Sequence, residues 1–215
     1  MDGPASCRAA RVERVDTSGD LLAADSQRGP FVPILQHIQE LARAGAEFHA
    51  ITLPPRDVVT RAHAITVLHE AKAVYADWSG HTELLPDTAR RALAAAQSIT
   101  AKDVATAATQ TAAISRAFET ACAEVDAILT PTLPVEPPPV GASRLQLGGR
   151  SEPIVSVLVS QTCLANLTGA PAVSMPLPGV AVSLQLIAPK SQDERLLAVA
   201  RALQATIDAG MPAAS

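Results

Sequence analysis

The chain has 215 residues, a formal net charge of −4 and 18% charged residues, with one Trp, one Tyr and three Phe. Without a basic stripe or aromatic platforms, it is not expected to bind nucleic acid. No apolar run approaches the ~18–20 residues that cross a bilayer, and the first residues carry charges where a secretory signal has an apolar stretch. These features predict a cytoplasmic chain without a membrane partner.

The first part of the sequence predicts an irregular start, then a helix and a strand. Residues 1–29 lack periodicity and are expected to form a poorly ordered lead-in. Apolar residues then recur at helical spacing from Ile34 to Ala42, and Gly45 is suited to end that helix. Residues 46–53 alternate in polarity, which predicts a short strand.

Three further helices are predicted in the middle of the chain. Asp57 is placed to cap the first, which carries an apolar stripe as far as Tyr75. The second opens at Pro86. The third, over residues 101–125, is the longest, and the segment Thr100–Asp103 has the pattern of a capping box at its start.

The next segments alternate between apolar and proline-rich stretches. The apolar run 126–131 predicts a buried strand. Prolines force residues 132–141 into extended geometry, and the polar residues 141–152 are expected to form a mobile loop. The prolines of residues 131–139 also leave open a docking site for a polyproline-reading domain, although a rigid connector fits the same pattern.

The last elements complete an α/β pattern. A helix is predicted over residues 154–167, followed by alternating strands over 172–176 and 181–187. Ser191 is placed to cap a final helix. The order of elements predicts an α/β fold, a mixed β-sheet flanked by helices and helix-rich overall.

Side-chain chemistry alone reveals no complete active site. There is no Gly-x-Ser-x-Gly elbow and no glycine-rich phosphate loop, and His69-Glu70 lacks the second His of a helical zinc site. Cys7, Cys122 and Cys163 are too widely spaced for a metal cluster or a disulfide framework. From residue types we assign no catalytic residue, no metal and no cofactor.

Several segments, in order and spacing, resemble the amidase signature family. They include residues 126–132 (DAILTPT), residues 166–176 (NLTGAPAVSMP) and residues 183–187 (SLQLI). The resemblance implies that residues 30–208 form the C-terminal part of the amidase-signature fold, followed by a tail at residues 209–215.

The same segments suggest roles for single residues. Gly169 permits a tight turn, Asn166 can satisfy backbone groups that prolines leave unpaired, and the Gln185 amide can hold a neighbouring loop. The structural motif residues are Asp126, Pro131, Asn166, Gly169, Pro171 and Gln185. The residues expected to contribute to a substrate pocket are Leu158, Thr162 and Asn166.

The resemblance also implies an activity and shows what is missing. Enzymes of this family hydrolyse carboxylic amides through a Ser acyl-enzyme, and a second Ser and a Lys activate the nucleophile. Those residues lie in a Gly/Ser-rich stretch of the N-terminal half, and Lys72, Lys102 and Lys190 have no such context here. Because a serine hydroxyl without its base is a poor nucleophile, no catalytic residue is carried over.

Two interpretations of function therefore stay open. The chain is part of an enzyme for a small-molecule amide, with a complementary N-terminal half as partner, or it is a catalytically inactive, truncated protein that acts as an interaction module. Val159 stands where glutamine-using members of the family carry an acid, which favours a more apolar amide. Half a sheet leaves edges and apolar surface uncovered, which favours association with a partner or homo-oligomerisation.

Overall fold

The computed structural model describes residues 10–12, 31–43, 45–46, 51, 53–78, 80–123, 125–147 and 150–210. The α-helices are α1 (Phe31–Arg43), α2 (Arg56–Val74), α3 (Asp87–Ala96), α4 (Ala101–Cys122), α5 (Ile154–Val159), α6 (Cys163–Thr168) and α7 (Asp193–Gly210). The strands are β1 (Ala10–Val12), β2 (Ala127–Pro131), β3 (Arg144–Leu147), β4 (Arg150–Pro153), β5 (Ala172–Met175) and β6 (Leu184–Ile187). Within this described part of the chain, no helix is long and apolar enough to cross a membrane.

The main sheet is mixed and has the strand order β1-β2-β6-β5. β1 is parallel to β2, whereas β6 is antiparallel to both β2 and β5. The predicted α/β fold, with a mixed sheet flanked by helices, is therefore confirmed. β1 falls inside the expected lead-in; the rest of residues 1–29, and residues 211–215 of the expected tail, lie outside the described residues.

Helices cover both faces of this sheet. On one face, Leu129 and Leu186 belong to a core that includes residues of α1 and α7. On the other face, Ile128 and Ile187 pack with residues of α2, α4 and α6. Because both faces are covered, β2 and β6 are apolar at almost every position instead of at alternate ones. Phe118 of α4 is among the buried side chains of the second core.

α4 begins where the sequence pattern predicts. The backbone N–H of Asp103 donates to the Thr100 hydroxyl at 3.2 Å, and the backbone N–H of Thr100 donates to the Asp103 carboxylate at 3.0 Å. This capping box satisfies two donors that the first turn leaves without helical partners. The helix ends at Cys122, three residues before the predicted end.

Several local predictions need correction. The helix expected over residues 154–167 is divided into α5 and α6. The loop expected over residues 141–152 contains most of an antiparallel hairpin, in which β3 pairs with β4. The strand expected over residues 46–53 lies mostly outside the described residues.

Two expected helix caps are also wrong. α2 begins at Arg56 after Pro55, so Asp57 lies within the first turn and caps nothing. Pro55 can stand at this boundary because its fixed φ and missing N–H are tolerated there. Ser191 has a φ of +65°, and α7 begins only at Asp193.

Candidate functional site

A buried hydrogen-bond network joins the centre of the sheet to the turn between α5 and α6. Gln185 lies on β6, directly opposite Thr130 of β2. Its side-chain Nε2 donates to the Thr130 hydroxyl at 3.1 Å and to the backbone carbonyl of Gln161 at 3.1 Å. The Gln185 amide therefore holds the turn at Gln161 against strand β6. The sequence analysis expected this amide to hold a neighbouring loop.

The turn at residues 160–162 arises from hydroxyl groups that bond to the end of α5. Ser160 donates to the carbonyl of Val157 at 2.7 Å, and Thr162 donates to the carbonyl of Val159 at 3.2 Å. Such bonds let Ser and Thr compete with helical hydrogen bonding. These two hydrogen bonds coincide with the break between α5 and α6. Gln161 lies between the two residues that make them.

Gln161 is the residue of this site that the sequence analysis missed. It is only 7% exposed, and its Nε2 atom has no hydrogen-bond partner among the described residues. It borders a small cleft together with Thr130, Arg56 and Leu164. The sequence signal that could have found it was a lone Gln flanked by Ser and Thr inside an otherwise apolar segment.

The three residues expected to contribute to a substrate pocket do not line this cleft. Leu158 and Thr162 are half-buried, and Asn166 is exposed. The Thr162 hydroxyl is used in its local backbone contact, described above. The structure therefore places these three residues in and beside the α5–α6 turn, outside this cleft.

Asn166 instead meets a histidine of α2. Its Nδ2 lies 3.3 Å from Nε2 of His63. Burial lowers the pKa of His63 from its ordinary value, and the nearby Glu70 carboxylate acts in the opposite direction. Because burial disfavours the charged ring, it favours a neutral His63.

The motif residue Asp126 joins the sheet to the last helix. It is buried just before β2, and its carboxylate accepts a hydrogen bond from the guanidinium of Arg195 on α7. The pair is shielded on the carboxylate side, while Arg195 remains largely open to solvent. It therefore connects two elements that are distant in the sequence.

The remaining motif residues shape the approach to the sheet. Gly169 ends α6 with a φ of +63°, a conformation that residues with a side chain rarely adopt. The carbonyl of Pro171 accepts a hydrogen bond from the Ala188 N–H at 3.1 Å. Pro131 ends β2 opposite Leu184. These contacts are structural, and none places a reactive group.

The buried thiols are unsuited to nucleophilic chemistry near neutral pH. Burial raises the pKa of Cys122 to about 11. Burial also raises the pKa of Cys163, although its contact with Thr60, at 3.8 Å between Sγ and Oγ1, acts in the opposite direction. Since the thiolate is the nucleophilic form, both groups are expected to be inert.

One pair of hydroxyls lies at the end of the sheet. The side-chain oxygens of Thr132 and Ser174 are 3.0 Å apart on the exposed surface. In the ranges that the structure describes, no lysine side chain hydrogen-bonds to either of them. A hydroxyl pair without a base lacks the means to generate an alkoxide.

Fold and site together define an α/β scaffold with a small cleft, polar at one end, beside its central strands. A family model described as Amidase matches residues 32–197, well over half of the chain. The chain therefore belongs to the amidase family. The resemblance seen in the sequence is confirmed.

Individual relatives agree with this assignment. One subunit of the glutamyl-tRNA(Gln) amidotransferase of Salinispora tropica is 37% identical over 105 residues, which are 47% of this chain and 20% of that protein. Fatty acid amide hydrolase of Oryza sativa subsp. indica is 29% identical over 170 residues, 74% of this chain and 27% of that protein. A crystal structure of an amidase superposes with a TM-score of 0.79 at 23% identity, covering 96% of this chain and 47% of that one. The chain thus spans less than half the length of these proteins.

Proposed function

We propose that the chain is one part of an enzyme that hydrolyses a carboxylic amide through a Ser acyl-enzyme. It contributes sheet strands and part of an acyl-binding pocket, and a complementary N-terminal half supplies the two serines and the lysine. The observation that carries the proposal is the family match over residues 32–197. Relatives named as a fatty acid amide hydrolase and as part of an amidotransferase support chemistry at an amide bond.

The distribution of reactive groups supports this division of labour. The described part of the chain contains a hydroxyl pair, Thr132 and Ser174, and two buried thiols with raised pKa values. None of these groups is paired with a general base. A complementary half that brings a lysine next to serine hydroxyls would supply the missing proton acceptor.

The acyl pocket is proposed to include the turn between α5 and α6. Thr162 lies in this turn, Leu158 and Asn166 lie on either side of it, and the Gln185 amide holds the turn in place through Gln161. The apolar Val159 favours an uncharged acyl or amine group over a free amino acid amide. An amide with an alkyl or aryl substituent is therefore the substrate class that we propose.

The contact with the complementary half is proposed to lie on residues 63–78 and 80–86, which we call the arm. α2 has 19 residues, but its buried residues, Val59 and Ala62, both lie in its first two turns. In the rest of the helix and the turns after it, Leu85 is the buried residue among those that the structure describes. The exposed large apolar side chains of the arm are Val67, Val74, Trp78 and Leu84.

An uncovered apolar surface of this kind is typical of an interaction site. The complementary half is the favoured occupant because the matched amidase structure is more than twice as long as the segment that this chain covers. A second copy of the chain is the competing occupant. Light scattering of the purified chain distinguishes a monomer from a homo-oligomer.

The proposal is tested by assaying hexanamide for ammonia release and acetanilide for aniline release. The purified chain alone should show no turnover above background. Coexpression with the N-terminal half of an amidase-family enzyme, with its Ser-Ser-Lys relay intact, should restore turnover. Hydrolysis by the chain alone that disappears in Ser174→Ala would refute the division of labour.

A matched pair of variants tests the docking surface. Trp78→Glu places a charge on the arm, whereas Leu197→Glu places one at a similarly exposed apolar position on α7. Because burying an unpaired charge is unfavourable, Trp78→Glu should lower the restored turnover about tenfold or more. Leu197→Glu should leave it close to the unmodified value.

The second candidate function is a non-catalytic interaction module, which the exposed apolar side chains of the arm also support. In that case the chain would form a stable complex with the N-terminal half, or with itself, without any gain in turnover. A complex seen by light scattering that stays inactive on both amides would favour this function.

A further inference from the structure

Strand β5 lies at one end of the main sheet, and only one of its two edges is paired within the described residues. Its neighbour β6 is antiparallel to it, with Val173 opposite Leu186. In an antiparallel pair, the backbone groups of successive residues point alternately toward the partner strand and away from it. The residues of β5 that point away from β6 therefore decide what the second edge offers to another chain.

A hydrogen bond just outside the two strands fixes this alternation. The N–H of Ala188 donates to the carbonyl of Pro171 at 3.1 Å, so these two residues form a bonded pair. In steps of two along the register, Val173 and Met175 also bond to β6. The residues that alternate with them in β5 turn their N–H and carbonyl groups away from β6.

The other neighbour of β6 gives the same result. The N–H of Thr132 donates to the carbonyl of Ser183 at 2.8 Å, so the backbone of Gln185, two residues further along β6, is directed at β2. Ser174 lies opposite Gln185 and therefore has no backbone partner on β6. The same alternation leaves the backbone of Ala172 without a partner on β6.

The helical cover of the sheet also stops at β5 on one face. Ile187 of β6 is completely buried in the core that α2, α4 and α6 form with the sheet. Ala172, directly opposite on the same face, is exposed, and so is Ser174. On the other face, Val173 packs against the core that includes α7. β5 is therefore open along one edge and on one face, and the side chains on that face are small.

Prolines bound this edge at both ends. Pro171 and Pro176 have no N–H, so the donors that the edge offers are those of Ala172 and Ser174. Together with the carbonyls of the same two residues, they suit the addition of a strand to an open sheet edge. A short edge bounded by prolines resists pairing with arbitrary chains. Its partner is therefore a short extended segment that other contacts hold in place.

Two occupants can extend the sheet at β5. A second copy of the chain would pair edge to edge, but it would bring no layer over Ala172 and Ser174, because the helices of each copy stop short of its own β5. A strand of the complementary half arrives with further elements that can cover this face. The matched amidase structure superposes on 96% of this chain, which covers only 47% of it. The size of the unmatched part favours the complementary half.

We propose that β5 is an interaction edge, on which a strand of the complementary N-terminal half extends the sheet through hydrogen bonds to the backbone of Ala172 and Ser174. This inference rests on the proposed function, because it takes the complementary half as the partner. It adds a backbone contact to the apolar contact of the arm.

The test is hydrogen exchange of backbone amides, measured by NMR on the ¹⁵N-labelled chain, alone and in complex with the unlabelled N-terminal half used above. The amides of Ala172 and Ser174 should exchange rapidly in the free chain and about tenfold or more slowly in the complex. The amides of Val173 and Met175 bond to β6 in both states and provide the internal reference.

Two variants at one position separate the backbone from the side chain. Ser174→Pro removes the outward N–H, a change that an edge strand tolerates, and it should weaken binding of the N-terminal half about fivefold or more. Ser174→Ala keeps the N–H but also lacks the hydroxyl contact to Thr132, and it should bind within about twofold of the unmodified chain. Calorimetric titration measures the affinities, and circular dichroism checks the fold of both variants. If Ser174→Pro does not fold, the exchange rates of the unmodified chain decide the question.

The outcomes distinguish this inference from the proposed function. Slow exchange at Ala172 and Ser174 in an inactive complex would support the edge and contradict amide hydrolysis. Fast exchange at both amides in an active complex, or equal binding by the two Ser174 variants, would overturn the edge and leave the proposed function intact. Slow exchange that appears in the chain alone as its concentration rises would assign the edge to a second copy and overturn the inference. Absence of any complex would overturn both proposals.

Discussion

The sheet with its covering helices and the arm differ sharply in how they use apolar residues. Leu184, Leu186 and Ile187 on the central strand are completely buried. On the arm, Val74 is 71% exposed and Trp78 is 45% exposed. Residues of similar hydrophobicity therefore form a core in one region and an open surface in the other.

This difference predicts that folding stability and partner binding depend on different regions of the chain. The sheet is covered on both faces by helices of the same chain, so its apolar area is removed from water on folding. On the arm, by contrast, Val67, Val74, Trp78 and Leu84 keep much of their apolar surface exposed. We expect the free energy of unfolding to depend mainly on the sheet and its helices, and partner binding to depend mainly on the arm.

The largest effect should come from exchanging one aromatic residue in each region for alanine. Phe118 is 2% exposed in the core beneath the sheet, so Phe118→Ala should lower the free energy of unfolding by about 3–5 kcal/mol through lost burial and a cavity. Trp78→Ala should change it by less than about 1 kcal/mol. Urea unfolding followed by circular dichroism measures both. Similar losses in the two variants would mean that the arm is part of the core.

An intermediate effect is expected for the ion pair that joins β2 to α7. Asp126→Ala removes a buried carboxylate that accepts from Arg195, and it should lower the free energy of unfolding by about 1–3 kcal/mol. The control is Asp87→Ala, which removes the exposed partner of Arg90 on α3. That change should lie within about 0.5 kcal/mol of the unmodified chain. Equal effects at the two sites would show that burial of Asp126 contributes nothing.

The fold follows well from the sequence where local patterns and burial agree. The Thr100–Asp103 pattern and the apolar periodicity together mark α4, and the apolar run before Pro131 marks β2. The pattern fails in residues 154–167, because periodicity does not register that the hydroxyls of Ser160 and Thr162 bond to the backbone. It also fails at the β3–β4 hairpin, because β4 is polar and the alternation of Leu145 and Leu147 in β3 is too short to mark a strand.

The candidate site is harder to predict because its contacts join distant segments. Gln185 and Gln161 are 24 residues apart, and Gln185 and Thr130 are 55 residues apart. The sequence indicates that Gln185 can hold a loop, but not which loop. Gln161 carries no motif, and its importance depends on burial and on a missing partner that only the folded chain reveals.

The smallest expected effect tests how the arm is attached to the sheet region. His63 lies where the arm begins and contacts Asn166 of α6. Burial lowers its pKa in the folded chain, so below its ordinary value of about 6.5 the unfolded chain binds a proton that the folded chain resists. The contribution of neutral His63 to the free energy of unfolding is therefore full well above pH 6.5, and it is lost as the pH falls through 6.5 toward the lowered pKa of the folded chain.

Urea midpoints at pH 7.5 and pH 5.5 measure this contribution. The midpoint of the unmodified chain should fall on acidification, and it should fall less in His63→Asn, which has no ring to protonate. His69→Asn changes an exposed histidine on the same helix and should behave as the unmodified chain does. If His63→Asn loses as much stability in acid as the unmodified chain, His63 is solvated and the contact with Asn166 does not hold the arm to α6.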